Sequence, residues 1–135
     1  MSRNEEIVRR GIEAAIRKPE PDFDTINVLY DPDHEFVALA SAFEGGSYRG
    51  TRGYRDWLLS AQNAGEWEAR VEQVTEIDAD RVLAVTPTSF QGKSSGVALR
   101  EERVASIMTV REGKIIRTEV YPSPKQALKA VGLSA

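Results

Sequence analysis

The segment 97–121 constrains the fold more than any other part of the chain. Residues 97–110 and 114–121 are rich in β-branched side chains, and only Arg111-Glu112-Gly113 separates them. Two such runs joined by so short a connection make an antiparallel hairpin. A two-residue loop, Glu112-Gly113, would put Glu112 at positive φ, a conformation that suits Asn or Asp better. A three-residue loop, Arg111-Glu112-Gly113, leaves only Gly113 left-handed and is the preferred reading. It pairs Val110 with Lys114, Met108 with Ile116, Ser106 with Thr118 and Val104 with Val120. Paired residues share a face. The even face (Val104, Ser106, Met108, Val110, Ile116, Thr118, Val120) is apolar with two hydroxyls, and is predicted to be the interior. The odd face (Arg103, Ala105, Ile107, Thr109, Ile115, Arg117, Glu119, Tyr121) is mixed. Its Ile107, Ile115 and Tyr121 suggest a subunit interface.

Helices precede these strands. Ser2 and Glu5 have capping-box spacing, and Ile7, Val8, Ile12, Ala15 and Ile16 recur at helical intervals, predicting an amphipathic helix over 3–18 that ends before Pro19. Asp22 caps a second helix with Phe23, Ile26, Leu29 and Tyr30 on its apolar stripe, ended by Asp31-Pro32-Asp33. A strand is predicted over 34–42 and a turn at Glu44-Gly45-Gly46. A third helix turns Tyr54, Trp57, Leu58 and Ala61 inward and stops near Gly65. Strands are predicted over 67–77, with a bulge, and over 81–90, where Pro87 requires an edge or a bulge. A polar loop over 91–96 follows. Ser123-Pro124 opens a short last helix and Gly132 closes it. Helices followed by a four-stranded antiparallel meander predict a single α+β domain over 1–135, its N-terminal helices packed on the concave face of a curved antiparallel sheet.

Composition removes whole classes of function. The 135 residues contain no cysteine, which excludes disulfides and thiolate chemistry, and one histidine, which excludes a multi-histidine metal centre. Eighteen basic residues against 21 acidic ones leave a net charge of −3, with no electrostatic bias toward nucleic acid or an anionic membrane. The polar N-terminus and the lack of a long apolar run predict a cytoplasmic protein.

Four short segments, in order, carry a family likeness: the opening helix with Ile7-Val8-Arg9-Arg10; residues 29–33; residues 48–57 into the third helix; and residues 108–116, closed by Val120-Tyr121. With these the chain resembles the nuclear-transport-factor-2-like superfamily, SnoaL-like branch. The resemblance implies a cone-shaped α+β barrel, a homodimer formed through the outer sheet face, no cofactor, and a pocket for a small, mostly apolar molecule. It does not fix an activity, because this fold hosts isomerases, cyclases, dehydratases, hydrolases and non-catalytic proteins. The positions that carry acid, base and tyrosine in ketosteroid isomerases fall near Ala38, Ser106 and Gly11. Those of the epoxide hydrolases fall near Ser106, Val104 and Val120. None of these residues can do that chemistry.

The residues expected to line the pocket are Phe36, Ala38, Tyr54, Trp57, Thr86, Thr88, Ser106, Met108, Thr118 and Val120. Apolar burial would supply affinity and the hydroxyls would orient the ligand. The catalytic alternative, a cofactor-independent isomerase, cyclase or hydrolase, has three weak candidates: Glu102 or His34 as base and Tyr48 as acid, with Tyr54 also able to serve as the acid. Glu102 shares the parity of Ser106 but reads more simply as a rim ion pair with Arg100. His34, between Asp33 and Glu35, reads more simply as a solvated turn residue. Arg49, Arg52 and Arg55 could attract an anion, or could be a solvated helix face. A third alternative is an association module that works through the outer sheet face. No metal site is expected.

Overall fold

The structure is a computed structural model, described here for residues 1–38, 46–92 and 102–133. Four helices and a curled, open seven-stranded sheet make up the described residues. The chain runs α1 (Arg3–Ile16), α2 (Phe23–Leu29), β1 (Tyr30–Ala38), β2 (Gly46–Arg49), α3 (Gly50–Ala64), β3 (Gly65–Ala69), β4 (Gln73–Glu76), β5 (Arg81–Gly92), β6 (Glu102–Arg111), β7 (Lys114–Tyr121) and α4 (Pro124–Ala130). The strand order is β2-β1-β7-β6-β5-β3, with β4 also paired to β5. The predicted features at residues 39–45 and 93–101, Arg100 among them, lie outside the described residues.

Local chemistry sets the helix ends. Ser2 Oγ accepts from Glu5 N (3.1 Å) and Ser2 N donates to Glu5 Oε1 (2.9 Å), closing the capping box of α1. The second Glu5 oxygen accepts Glu76 N at 2.9 Å and ties α1 to β4. These bonds hold the Glu5 carboxyl below its ordinary pKa, the contact with Ser2 N contributing most. Asp22 caps α2 through Thr25 N and Thr25 Oγ1. The helix releases the chain at Leu29, so Tyr30 opens β1 instead of ending α2.

Three strand features depart from the sequence reading. First, β1 lies parallel to β7 and antiparallel to β2, so the sheet is mixed. The long excursion between β1 and β7 frees that pair from the geometry a hairpin imposes. Second, the strand predicted over 67–77 is two strands, both paired to β5. Between them Arg70 N donates to Pro87 O (3.2 Å) and Glu72 N to Val85 O (2.9 Å). The break lies opposite Pro87, where the missing N–H interrupts no regular ladder, so proline is tolerated in a buried strand. Third, the last hairpin uses the two-residue turn, with Glu112 at φ 53° and Gly113 at φ 77°, and pairs Arg111 with Lys114. Such a turn alone would exchange the faces of β7. A bulge between Thr109 and Val110 restores the parity: Met108 pairs with Thr118 and Ser106 with Val120. The predicted faces of these residues therefore survive while the register differs by two. Ile115, on the far side of the irregularity, turns into the main core.

The concave face of the sheet packs on α1, α2 and α3. Ile7, Val8 and Ile12 of α1, Ile26 and Leu29 of α2, and Tyr54 and Leu58 of α3 meet Phe36, Val82, Ala84, Met108, Val110 and Ile115. The convex face has its own smaller core. Helix α4, with Ser123 Oγ accepting from Gln126 N and Pro124 in its first turn, lays Ala127 over Leu83, Val85, Ala105 and Ile107. Ile107 is fully buried there, and Tyr121 packs at its edge. Of the apolar residues that suggested a subunit interface, Ile107 and Ile115 are buried within the chain and Tyr121 is half-buried. What α4 leaves open is a charged strip in which Arg117 pairs with Glu35 and Glu119, and Glu119 accepts the Tyr121 hydroxyl at 3.1 Å.

Candidate functional site

Along β1, Tyr30, His34 and Phe36 are buried, while Asp31, Asp33 and Glu35 are not; the pairing with β7 is irregular between Tyr30 and Glu35, and Pro32 is exposed there. The first set enters the concave core. His34 is fully buried, which overturns its reading as a solvated turn residue. The acidic neighbours that suggested solvation point away from it because the strand is pleated. Its ring stands edge-on to Tyr30 (4.8 Å between centroids) and Tyr54 (5.4 Å), with Phe36 at 6.5 Å. Its Nε2 lies 2.9 Å from Thr118 Oγ1 of β7, while Nδ1 has no hydrogen-bond partner among the described residues.

Burial dominates the acid–base properties of this cluster. It lowers the His34 pKa to about 4, with the nearby Asp31 carboxylate pulling weakly the other way, so the imidazole is neutral at physiological pH. Burial also raises the Tyr30 phenol well above its usual value, and the adjacent Tyr54 phenol adds to the effect. Tyr54 is pushed up to about 12 by burial, the interaction with Tyr30 opposing it. The Tyr30 and Tyr54 ring centroids lie 5.1 Å apart, and the Tyr30 hydroxyl has no hydrogen-bond partner among the described residues. Tyr30 also explains Gly11. A Cβ on Gly11 would stand 3.2 Å from Tyr30 Cε1 and 2.8 Å from Ile115 Cδ1, so the Tyr30 ring occupies the space that a side chain there would need. Sequence reasoning placed Tyr30 on α2. The alternation of Tyr30, His34 and Phe36 with three acids was the signal for a strand.

Along β5, β6 and β7 the concave face passes from closed to open. Val82 and Ala84 are fully buried, Thr86 is 8% exposed and Thr88 half-buried; Met108 is 1% exposed, Ser106 8%, Val104 half-buried and Glu102 exposed. On β7, Thr118 is buried and Val120 half-buried. Half-buried Trp57 of α3 and Tyr48 of β2 stand over this open end, Trp57 at 4.6 Å and Tyr48 at 6.2 Å from the Phe36 ring.

Ten pocket residues were expected, and the structure places nine of them around this face: Phe36, Tyr54, Trp57, Thr86, Thr88, Ser106, Met108, Thr118 and Val120. Ala38 takes its place in β1 opposite Val120 and Gly46, and its side chain lies outside the described residues. Of the catalytic candidates, His34 lies at the floor and Tyr48 at the rim. Glu102 is exposed at the start of β6, since the strand has left the core there. Arg103 and Glu72 form an exposed ion pair away from the concave face. Arg52 and Arg55 line a solvent-open groove with Asn27, Thr51 and Asp56, and Arg55 lies over the Phe23 ring at 4.6 Å. No cluster of three or more metal-ligating side chains exists among the described residues, and no helix there is long and apolar enough to cross a membrane.

No protein-family model and no curated protein sequence matches the chain. Solved structures do. A protein with a ketosteroid isomerase-like fold from Catenulispora acidiphila, in complex with trimethylamine, superposes with a TM-score of 0.72 at 18% identity, over 95% of this chain and 93% of that one. An NTF2-like protein of unknown function from Burkholderia pseudomallei gives 0.75 at 15% identity, over 98% and 99%. A protein assigned as a SnoaL-like polyketide cyclase from a Jannaschia species gives 0.68 at 16%, over 88% and 84%. Nearly full-length superposition, the cone of helices on a curled sheet, and the strand order together establish that this chain has the nuclear-transport-factor-2-like fold.

Proposed function

We propose that this protein binds a small, largely apolar molecule on the concave face of its sheet, without a cofactor. One observation carries the reading: three adjacent strands pass together from a fully buried floor to a half-buried rim, under aromatic side chains from α3 and β2. The surface between floor and rim is hydrocarbon, aromatic ring and hydroxyl. Such a surface gains affinity from apolar burial and orientation from a few polar groups. Two structural neighbours suit this reading, one bound to trimethylamine and one assigned as a polyketide cyclase. Native mass spectrometry of the purified protein, followed by extraction, tests it. The expected result is a stoichiometric low-mass organic species released on denaturation, or saturable uptake of a hydrophobic fluorophore that Trp57→Ala weakens. The absence of both, with no bound species and no saturable uptake, would refute the reading.

A catalytic reading, as a cofactor-independent isomerase, cyclase or hydrolase, has one observation in its favour: His34 lies within the site. With a pKa of about 4 it is a weak base at neutral pH and serves better as a neutral hydrogen-bonding group. Glu102 offers no geometric support for this chemistry. An association module would now depend on the charged strip Glu35, Arg117 and Glu119, because α4 covers the apolar part of the outer face.

A further inference from the structure

A solvent-open groove of about 330 Å³ lies between α2 and α3, lined by Asn27, Thr51, Arg52, Arg55 and Asp56. Helical spacing assembles it. On α2, Phe23 and Asn27 stand one turn apart. On α3, Thr51 and Arg55 do the same, and so do Arg52 and Asp56. The same helix turns Tyr54 and Leu58 into the main core. Groove and concave face therefore lie on different sides of α3.

The charges of this groove are not neutralised within the chain. Arg52 and Asp56 are spaced for a helical ion pair, yet neither forms an ion pair with any described residue. Arg55 lies over the Phe23 ring at 4.6 Å, a contact with the π face of the ring and not with a hydrogen-bond acceptor. Arg52 and Arg55 are three residues apart, a like-charge pair that weakens a helix. The chain as a whole carries a net charge of −3, so the cationic character is local. The lining holds no aliphatic side chain, which sets the groove apart from the concave face.

We infer that this groove is a second site, separate from the concave face, for a small hydrophilic organic oxyanion that also carries a hydroxyl: a hydroxy acid or a polyol phosphate. Two guanidiniums one helical turn apart, neither engaged by a carboxylate, take a carboxylate or phosphate through charge-assisted N–H···O bonds. Asp56 repels an anion and can only accept hydrogen bonds, so the ligand must bring a donor to that side. Asn27 and Thr51 offer donors and acceptors for further hydroxyls. An apolar molecule finds no hydrocarbon to bury against, and a bare anion leaves Asp56 facing it.

Titration of the intact, isotope-labelled protein with malate, succinate, glycerol phosphate and glycerol, read by NMR at the arginine side-chain N–H signals, tests this. Malate and glycerol phosphate should shift the Arg52 and Arg55 signals saturably, and glycerol should not. Malate is succinate with one added hydroxyl, and should bind several-fold tighter. Asp56→Ala should strengthen succinate binding, because the repulsion is gone, and abolish the preference for malate. Arg52→Gln and Arg55→Gln should each weaken malate binding several-fold, as should added salt. Thermal melts of all three variants should stay close to the wild type, because these side chains are exposed. The tighter of malate and glycerol phosphate assigns the anion as carboxylate or phosphate, and either order supports the site. Shifts at Arg52 and Arg55 no larger than at other surface arginines, equal affinity for malate and succinate, or unchanged malate affinity in both glutamine variants would overturn the inference.

Discussion

Acid should destabilise this protein through one residue. His34 is the sole histidine, so between the carboxylate and cysteine ranges no other side chain of ordinary pKa titrates. Its pKa is about 6.5 when the chain is unfolded and about 4 when folded. The depression means that the unfolded chain takes up a proton first. The stabilising contribution of the neutral, buried imidazole is therefore complete above about pH 7 and is lost as pH falls from about 6.5 to about 4. The pKa difference corresponds to a total of about 3 kcal/mol, of which about 2 kcal/mol is gone by pH 5. That is a large part of the stability of a domain this size. Urea unfolding at pH 7.5 and pH 5, followed by tryptophan fluorescence, would measure it. The midpoint should fall at pH 5 with the slope unchanged. In His34→Gln, which has no group titrating in this window, the two curves should nearly coincide, whatever the variant's stability at pH 7.5. Equal pH sensitivity in both proteins, or none in the wild type, would refute the placement of a neutral imidazole in the core. The carboxylates that the fold holds at lowered pKa, Glu5, Asp22 and Asp78, lose their contributions only at lower pH, and so do not imitate the effect.

Other substitutions probe the same architecture. Gly11→Ala sets a helix-propensity gain of about 1 kcal/mol against overpacking of about 1–3 kcal/mol; Ile115 Cδ1 can rotate away but the Tyr30 ring cannot, so a net loss is expected in thermal unfolding. Glu112→Asn relieves a left-handed residue in the tight turn and should stabilise by up to about 1 kcal/mol in urea unfolding. Ile107→Asp buries an unpaired carboxylate under α4, and circular dichroism should show an unfolded or strongly destabilised chain; a folded variant with only its oligomeric state altered would mean that the outer face is an interface after all.

The amino-acid sequence by itself determined what depends on near neighbours. Ser2 with Glu5, Asp22 with Thr25, and Ser123 with Pro124 open helices by bonds that span three residues or fewer, so they could be read directly. The alternation of β6 and β7 gave the inward face, including Ser106, Met108 and Thr118, because pleating is a local property of an extended chain. Tertiary structure decided the rest. A one-residue difference in turn length moves a whole register, and only packing against α1 and Tyr30 selects the tight turn, the compensating bulge and the inward turn of Ile115. His34 stands between two acids in the chain, yet it is buried because the strand sends those acids outward and β7, more than 80 residues later, supplies Thr118. Ile107 looks sticky in isolation because the helix that covers it begins 17 residues further on. Contacts of that range are set by the whole fold, and no local spacing encodes them.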